Sequence, residues 1–452
     1  MAFQQGLSGL NTSSKALDVI GNNVANSSTV GFKSADAHFA DVYASTLGAG
    51  GANQVGIGTN LAGIVQQFTQ GNVSTTNNTL DIAINGNGFF RLSQNGAISY
   101  SRNGQFHLDK NGYIVNDQNL RLTGYPAGMD GSIRQQNPQE LQVTADLLKL
   151  SPVATGTSTG GEYAGAQVAV NLNSDAPAKT WAVGAGTVPN ISPDGFNYQT
   201  GLTIYDSLGN AHTMTMYFVK SGVTPGAWDL YTNVDGTAMD GAGDTPNLAT
   251  PVSIVFDSNG QLSTINGTAV VPNPAAGGTL PEIPVSIDLD QVAANLGRVS
   301  WGATSPMTFN LNLAGTTQYS DAFATNRRVQ DGYSSGNLAG LNIGKDGVIQ
   351  GRYSNGQTRN VGQMVLASFD NPNGLQSIGG NQWIETSISG QPTVDAPGTG
   401  RLGEVQSNAV EESNVDLTSE LVKMITQQRN YQANSQTIKT QDQIMQTIVN
   451  LR

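Results

Sequence analysis

Apolar residues near the end of the chain return every seven positions: Leu417, Met424, Tyr431, Ile438 and Met445. A second row, Leu421, Gln428, Ser435, Asp442 and Val449, is apolar only at its ends, while Ile425, Ile444 and Ile448 widen the stripe. No Pro or Gly interrupts residues 416–451, and Ser413-Asn414-Val415-Asp416 reads as a helix-start capping box. The pattern predicts a helix roughly 50 Å long. One globular core seldom covers that length, and a seven-residue repeat is the signature of helix packed on helix. The other faces carry Gln427, Gln432, Gln436, Gln441, Gln443 and Gln446, polar but uncharged. Phe3, Leu10, Leu17 and Val24 repeat at the same spacing near the N-terminus, with Leu7 and Ile20 beside them. Two matching stripes predict an antiparallel, coiled-coil-like pair of terminal helices. The spacing equally allows two amphipathic helices packed separately on a core.

Between the helices the period changes. Asn, Ser and Gly at 21–31 predict a helix stop and a tight turn, and residues 31–70 read as an extended connector. Asn95-Gly96, Asn103-Gly104 and Asn111-Gly112 punctuate short alternating runs and predict a β-meander within 71–150. Residues 151–333 read as an inserted β-sandwich or barrel, with strands predicted at 166–172, 201–206, 213–220, 228–234 and 252–257. Turns at Asp346-Gly347 and Asn355-Gly356 mark a second β segment, 334–408, that pairs with the first. The predicted fold is therefore mainly β with terminal helices. It is nested as helix (1–30), connector, β, inserted β, β and helix (409–452).

Composition narrows what such a chain does. Charged residues are 12% of the sequence, Gly numbers 55 and the net charge is −12, which gives no basic patch for a nucleic-acid backbone. There is no apolar run long enough to span a membrane and no leader of secretory type, so neither membrane insertion nor ordinary signal cleavage is expected. Cysteine is absent, and His38, His107 and His212 stand in three separate segments without metal-ligand spacing. Asp109-Lys110-Asn111-Gly112 resembles the start of a calcium loop but lacks the later acidic ligands, so it reads as a turn. Asp288 and Asp290 read as a solvated strand edge rather than an acid/base pair. No catalytic constellation, metal site or cofactor site emerges, and no enzyme is expected. Trp181, Trp228, Trp301 and Trp383 leave open an extracellular glycan-binding or adhesive β protein, although scattered tryptophans more often fill cores.

Longer motifs add a resemblance. Leu17-Asp18-Val19-Ile20-Gly21-Asn22-Asn23-Val24-Ala25-Asn26, followed by Gly31-Phe32-Lys33, resembles the N-terminal signature of bacterial flagellar rod and hook proteins. Asn85-Gly86-Asn87-Gly88-Phe89-Phe90 and Tyr100-Ser101-Arg102-Asn103-Gly104-Gln105-Phe106 are similar to that group's inner β domain. Glu411-Glu412-Ser413-Asn414-Val415-Asp416-Leu417 through Gln428-Arg429-Asn430-Tyr431-Gln432-Ala433-Asn434 is similar to its C-terminal helix. Thr203-Ile204-Tyr205-Asp206-Ser207-Leu208-Gly209-Asn210-Ala211-His212 and Tyr319-Ser320-Asp321-Ala322-Phe323-Ala324 resemble the hook protein family in particular. The long insertion distinguishes this reading from its neighbour, the distal rod protein.

The resemblance implies a structural subunit outside the cell. Copies would stack into a curved helical tube that acts as a universal joint between motor and filament. It further implies contacts with the flagellar rod, the hook cap and the hook–filament junction proteins, and passage through the flagellar type III export apparatus. The assembly residues it implies lie on the terminal helices: Phe3, Leu7, Leu10, Leu17, Ile20, Val24, Leu417, Leu421, Met424, Ile425, Tyr431, Ile438, Met445 and Ile448. Phe39 and Tyr43 fit a short export-gate pattern and equally an anchoring role in the polymer.

Overall fold

The computed structural model describes residues 2–42, 56–128, 131–157, 164–184, 189–239, 247–270 and 282–450. It is mostly β, with a long helix at each end, Ala2–Ala25 and Leu417–Asn450. The chain divides into two compact units. One comprises residues 1–148, 339–352 and 358–452; the other comprises 149–338 and 353–357.

In the first unit the two β segments interleave strand by strand. Phe89–Gln94 and Ala97–Ser101 form a hairpin closed by Asn95 and Gly96, whose φ angles of 51° and 89° are those a two-residue loop of that hand requires. The later segment adds its strands to this frame. Thr358–Met364 pairs with Arg121–Pro126, Gln382–Ile384 with Ala97–Ser101, and Glu404–Ser407 with Ile82–Asn85. Phe68, Phe89, Tyr100, Phe369 and Trp383 meet edge to face at the centre, and the Trp383 indole donates to Gln66 Oε1 at 2.7 Å.

One local expectation fails here for a physical reason. Asn103-Gly104 closes no hairpin: Gly104 lies flat against Ile82, accepting a hydrogen bond from the Ile82 amide, and a Cβ at Gly104 would collide with the Ile82 carbonyl. The described residues of the connector also include regular strands that its weak periodicity does not reveal. Ala35–Val42 and Gly58–Gln66 pair as an antiparallel ribbon with a bulge at His38/Phe39.

The second unit holds two sheets around one core. Tyr198–Tyr205, Ala211–Lys220, Ala227–Val234 and Val252–Phe256 run as an antiparallel meander. Ala166–Asn173 and Glu282–Ile287 belong to the other sheet, each beside Met307–Asn312. Val168, Val170 and Leu172 of one sheet share the core with Met216, Phe218, Trp228 and Leu230 of the other. One turn recurs in both units. Asp109, Asp206 and Asp257 each accept backbone N–H groups two and four residues on, and Gly112, Gly209 and Gly260 supply positive φ at the third position. Asp288 departs from its expected place on a strand edge. It is the N-cap of the helix Leu289–Asn295, accepting from the Asp290 and Gln291 amides at 3.1 and 3.2 Å.

Candidate assembly site

The terminal helices pack antiparallel. A Cβ on Gly6 would stand 3.1 Å from Ile438 Cγ1, and one on Gly9 would stand 2.7 Å from Asn434 Nδ2. Asn23 meets Glu420 at the other end of the pair. The seam on the first helix is Gly6, Gly9, Ser13, Ala16, Ile20 and Asn23, alternating three and four residues apart, with all but Gly9 buried. These are mostly small side chains, and small side chains let two helices approach closely. The facing positions on the second helix run Glu420, Met424, Gln427, Asn434, Ile438 and Gln441, buried or half-buried. Its second row is thus one position N-terminal of the expected Leu421 row, and it is polar.

The large apolar side chains therefore divide. Ile20 is buried, and Leu10, Leu17, Val24, Met424 and Ile438 are half-buried. Phe3, Leu7, Leu417, Leu421, Ile425, Tyr431 and Met445 remain between 38% and 51% exposed, or 55% for Met445. Seven large apolar side chains on the two helices are therefore open to water over more than a third of their surface. Tyr43 and the Ile448 side chain lie outside the described residues. Phe39 is 40% exposed on the ribbon and lines a groove of about 240 Å³ with Val19, Ile20, Ala37 and Val422. Gln427 and Gln441 leave the expected polar face and join the seam.

Two polar clusters fix where the helices start and stop. The C-terminal helix begins one residue after Asp416, whose carboxylate accepts from the Thr418 and Ser419 amides at 2.9 and 3.2 Å. Ser413 instead accepts from the Val415 amide just before it, so the cap falls at the end of the expected box. Asn23 Oδ1 accepts from the Ala35 amide at 3.0 Å, and its Nδ2 donates to the Ala35 carbonyl and to Glu420. Lys423 then bridges Glu420 and Asp36. One asparagine thus ties both helices to the first strand of the ribbon. Replacing Asn23 with Ala strips the Ala35 amide and carbonyl of their side-chain partner and removes the Asn23 hydrogen bond from buried Glu420, which keeps only Lys423, at a cost of about 1–3 kcal/mol. The far-ultraviolet helical signal of N23A should melt several degrees earlier than that of the wild type.

Deeper in the unit, Lys33, Arg102 and Glu411 form a fully buried ion cluster. Glu411 Oε1 lies 2.6 Å from Lys33 Nζ, and Oε2 lies 3.0 Å from Arg102 Nη1. Lys33 also donates to the Thr69 carbonyl and Arg102 to the Gly86 carbonyl, while Glu411 accepts from the Gly71 amide. Burial lowers the Lys33 pKa, and Glu411 opposes that shift. Desolvation likewise lowers that of Arg102, again against Glu411. The cluster joins the segment after the first helix, the inner sheet and the segment before the last helix. Its three members come from three of the motifs quoted above, yet nothing in their separate spacing announced that they would meet.

Among the described residues, no group of three or more His, Asp or Glu side chains is placed to hold a metal ion. No helix among the described residues is long and apolar enough to cross a membrane. Trp228 and Trp383 are buried, and Trp181 stacks on Tyr231 at 4.2 Å.

Known proteins match along the whole length. Residues 3–33 match the family described as flagella basal body rod protein, and 406–451 match the flagellar basal body rod FlgEFG protein C-terminal family. Residues 83–157 match the flagellar hook protein FlgE/F/G D1 domain, and 171–333 match the flagellar basal body protein FlaE D2 domain. The chain is 40% identical to the flagellar hook protein FlgE of Escherichia coli (strain K12), with all of both chains covered. It is 41% identical to that of Salmonella typhimurium, again over all of both chains. It is 32% identical to that of Borreliella burgdorferi, over all of this chain and 99% of the other.

The chain belongs to the flagellar hook protein FlgE family. It is a structural subunit of the bacterial flagellar hook and not an enzyme. Its place is the flagellum, where it polymerises with itself within the axial structure. The hook-family reading also removes the adhesive and rod alternatives.

Proposed function

We propose that the outward apolar face of the terminal helix pair is the surface through which hook subunits stack. The observation that carries this reading is the half-exposure of Phe3, Leu7, Leu417, Leu421, Ile425, Tyr431 and Met445 beside a seam already filled by small residues. The helices satisfy each other through Gly6, Ser13, Ala16 and Asn23, which leaves the large side chains free for neighbouring copies. A contact that joins unlike faces of identical subunits does not close on itself, and it generates a helical polymer. Leu10, Leu17, Ile20, Val24, Met424 and Ile438 support that face from within or beside the seam. Bending of the tube as a universal joint requires subunits that shift against one another. The low charge of the chain favours this, since few strong ion pairs would resist small displacements.

The finer assignments follow the same reading. Contacts with the rod, the hook cap and the hook–filament junction proteins use the ends of this helical face, and export uses the flagellar type III apparatus. Phe39, exposed on the ribbon, together with Tyr43, serves as the recognition element or as an anchor on the next subunit. Negative-stain microscopy of the purified protein across a concentration series tests the central claim. Curved tubes that appear above a threshold concentration are expected. Polymers that form equally well after removal of residues 2–25 would overturn the role given to the helices.

A further inference from the structure

The second unit contains a titratable cluster outside the helix face described above. His212 is 2% exposed and lies between two carboxylates from different turns. Its Nδ1 is 2.8 Å from Asp235 Oδ2, and its Nε2 is 3.5 Å from Asp206 Oδ2. Asp206 is fully buried, and its carboxylate organises the turn 206–210 by accepting from Leu208 and Asn210. Asp235 holds the Thr213 amide at 2.8 Å. The Trp301 ring closes the remaining side, edge to face with the imidazole at 4.8 Å. The charged groups that bear on His212 are thus Asp206 and Asp235, with Arg298 acting on Asp235. Nε2 is buried without a hydrogen bond, so only a proton there relates it favourably to the carboxylate beside it.

We propose that protonated His212 is a bolt that ties the turn 206–210 to the turn at Asp235, and that its deprotonation as the pH rises loosens this edge of the inserted unit. A neutral imidazole has one N–H and can serve only one of the two carboxylates. Without the second proton, buried Asp206 faces a ring lone pair across 3.5 Å. Burial of His212 opposes its charge, but the hydrogen bond and field of Asp235, then those of Asp206, outweigh it and raise its pKa. A group whose folded pKa is raised contributes stability that is complete below its unfolded value, about 6.5 for histidine, and is lost as pH climbs through the folded value. The effect therefore lies on the alkaline side of that point. The inference is independent of the helix face proposed above.

Three histidines make the test clean. In a full-length chain carrying His38→Gln and His107→Gln, the single remaining imidazole is followed by NMR from pH 5 to 10. A midpoint above the ordinary histidine range is expected, falling towards that range in Asp235→Asn. Hydrogen-exchange protection at Leu208, Asn210 and Thr213, corrected for intrinsic rates, should drop with rising pH in the wild type. It should stay level in His212→Gln if that variant folds, and change less in Asp235→Asn. A midpoint at or below the ordinary range, or protection that falls equally in the wild type and Asp235→Asn, would overturn the proposal.

Discussion

Leu421→Asp combined with Ile425→Asp should abolish tube formation while both β units stay folded. The two side chains are 43% and 51% exposed, lie one turn apart on the C-terminal helix, and contribute little to the seam with the N-terminal helix. Covering them in a polymer is worth about 1 kcal/mol each, half the value for full burial of such a side chain. Carboxylates forced into the same contact cost at least about 1 kcal/mol each. The sum of about 4 kcal/mol per contact raises the threshold concentration for polymerisation roughly a thousandfold. Sedimentation of mixed wild-type and variant samples reads this directly, with circular dichroism to check that the subunit remains folded. Normal tubes would mean that the exposed face looks towards the channel or solvent in the polymer.

Glu411→Ala has the largest expected effect on the subunit itself. It leaves Lys33 and Arg102 buried together without their anion and removes the acceptor of the Gly71 amide. Breaking a buried ion pair by removing one partner costs about 3–5 kcal/mol, because the remaining charge has no water to return to. Against a total stability of about 5–15 kcal/mol, that is enough to open the unit it belongs to. Hydrogen exchange should accelerate throughout residues 2–148 and 358–450 and leave 164–330 unchanged. The triple replacement of Lys33, Arg102 and Glu411 by Met should recover much of the loss, since apolar substitution of a whole buried cluster is often neutral. A cost below about 1 kcal/mol for Glu411→Ala would deny the cluster its role as the junction of the three segments.

Much of the architecture could be read from local pattern because local physics fixes it. Alternation placed the strands Ala166–Asn173, Ala211–Lys220 and Ala227–Val234 within two residues of their ends. Asn95-Gly96 specified a hairpin because few other pairs accept two positive φ angles. The two long helices were visible in an uninterrupted period of seven. Asn103-Gly104 carries the same dipeptide as Asn95-Gly96 and makes no hairpin. What decides there is the Ile82 backbone, residues away in sequence, against which only glycine fits.

The face of each helix that meets the other was legible only in a signal that hydrophobicity hides. Apolar content pointed to Phe3, Leu10, Leu17 and Val24, while the seam took Gly6, Ser13, Ala16 and Asn23, which also recur at heptad spacing. A helix pair can be held by close approach of small residues, and its large side chains are then left for other copies. Periodicity reports which residues share a face, not what that face touches. The Lys33–Arg102–Glu411 and Asn23–Ala35–Glu420 clusters lay beyond sequence reasoning for a further reason. Their members are up to 397 residues apart, and each alone looks like an ordinary surface or turn residue. Helices, strands and turns follow from interactions within a few residues. The pairing of buried charges and the division between inward and outward apolar faces exist only once distant segments exclude water together.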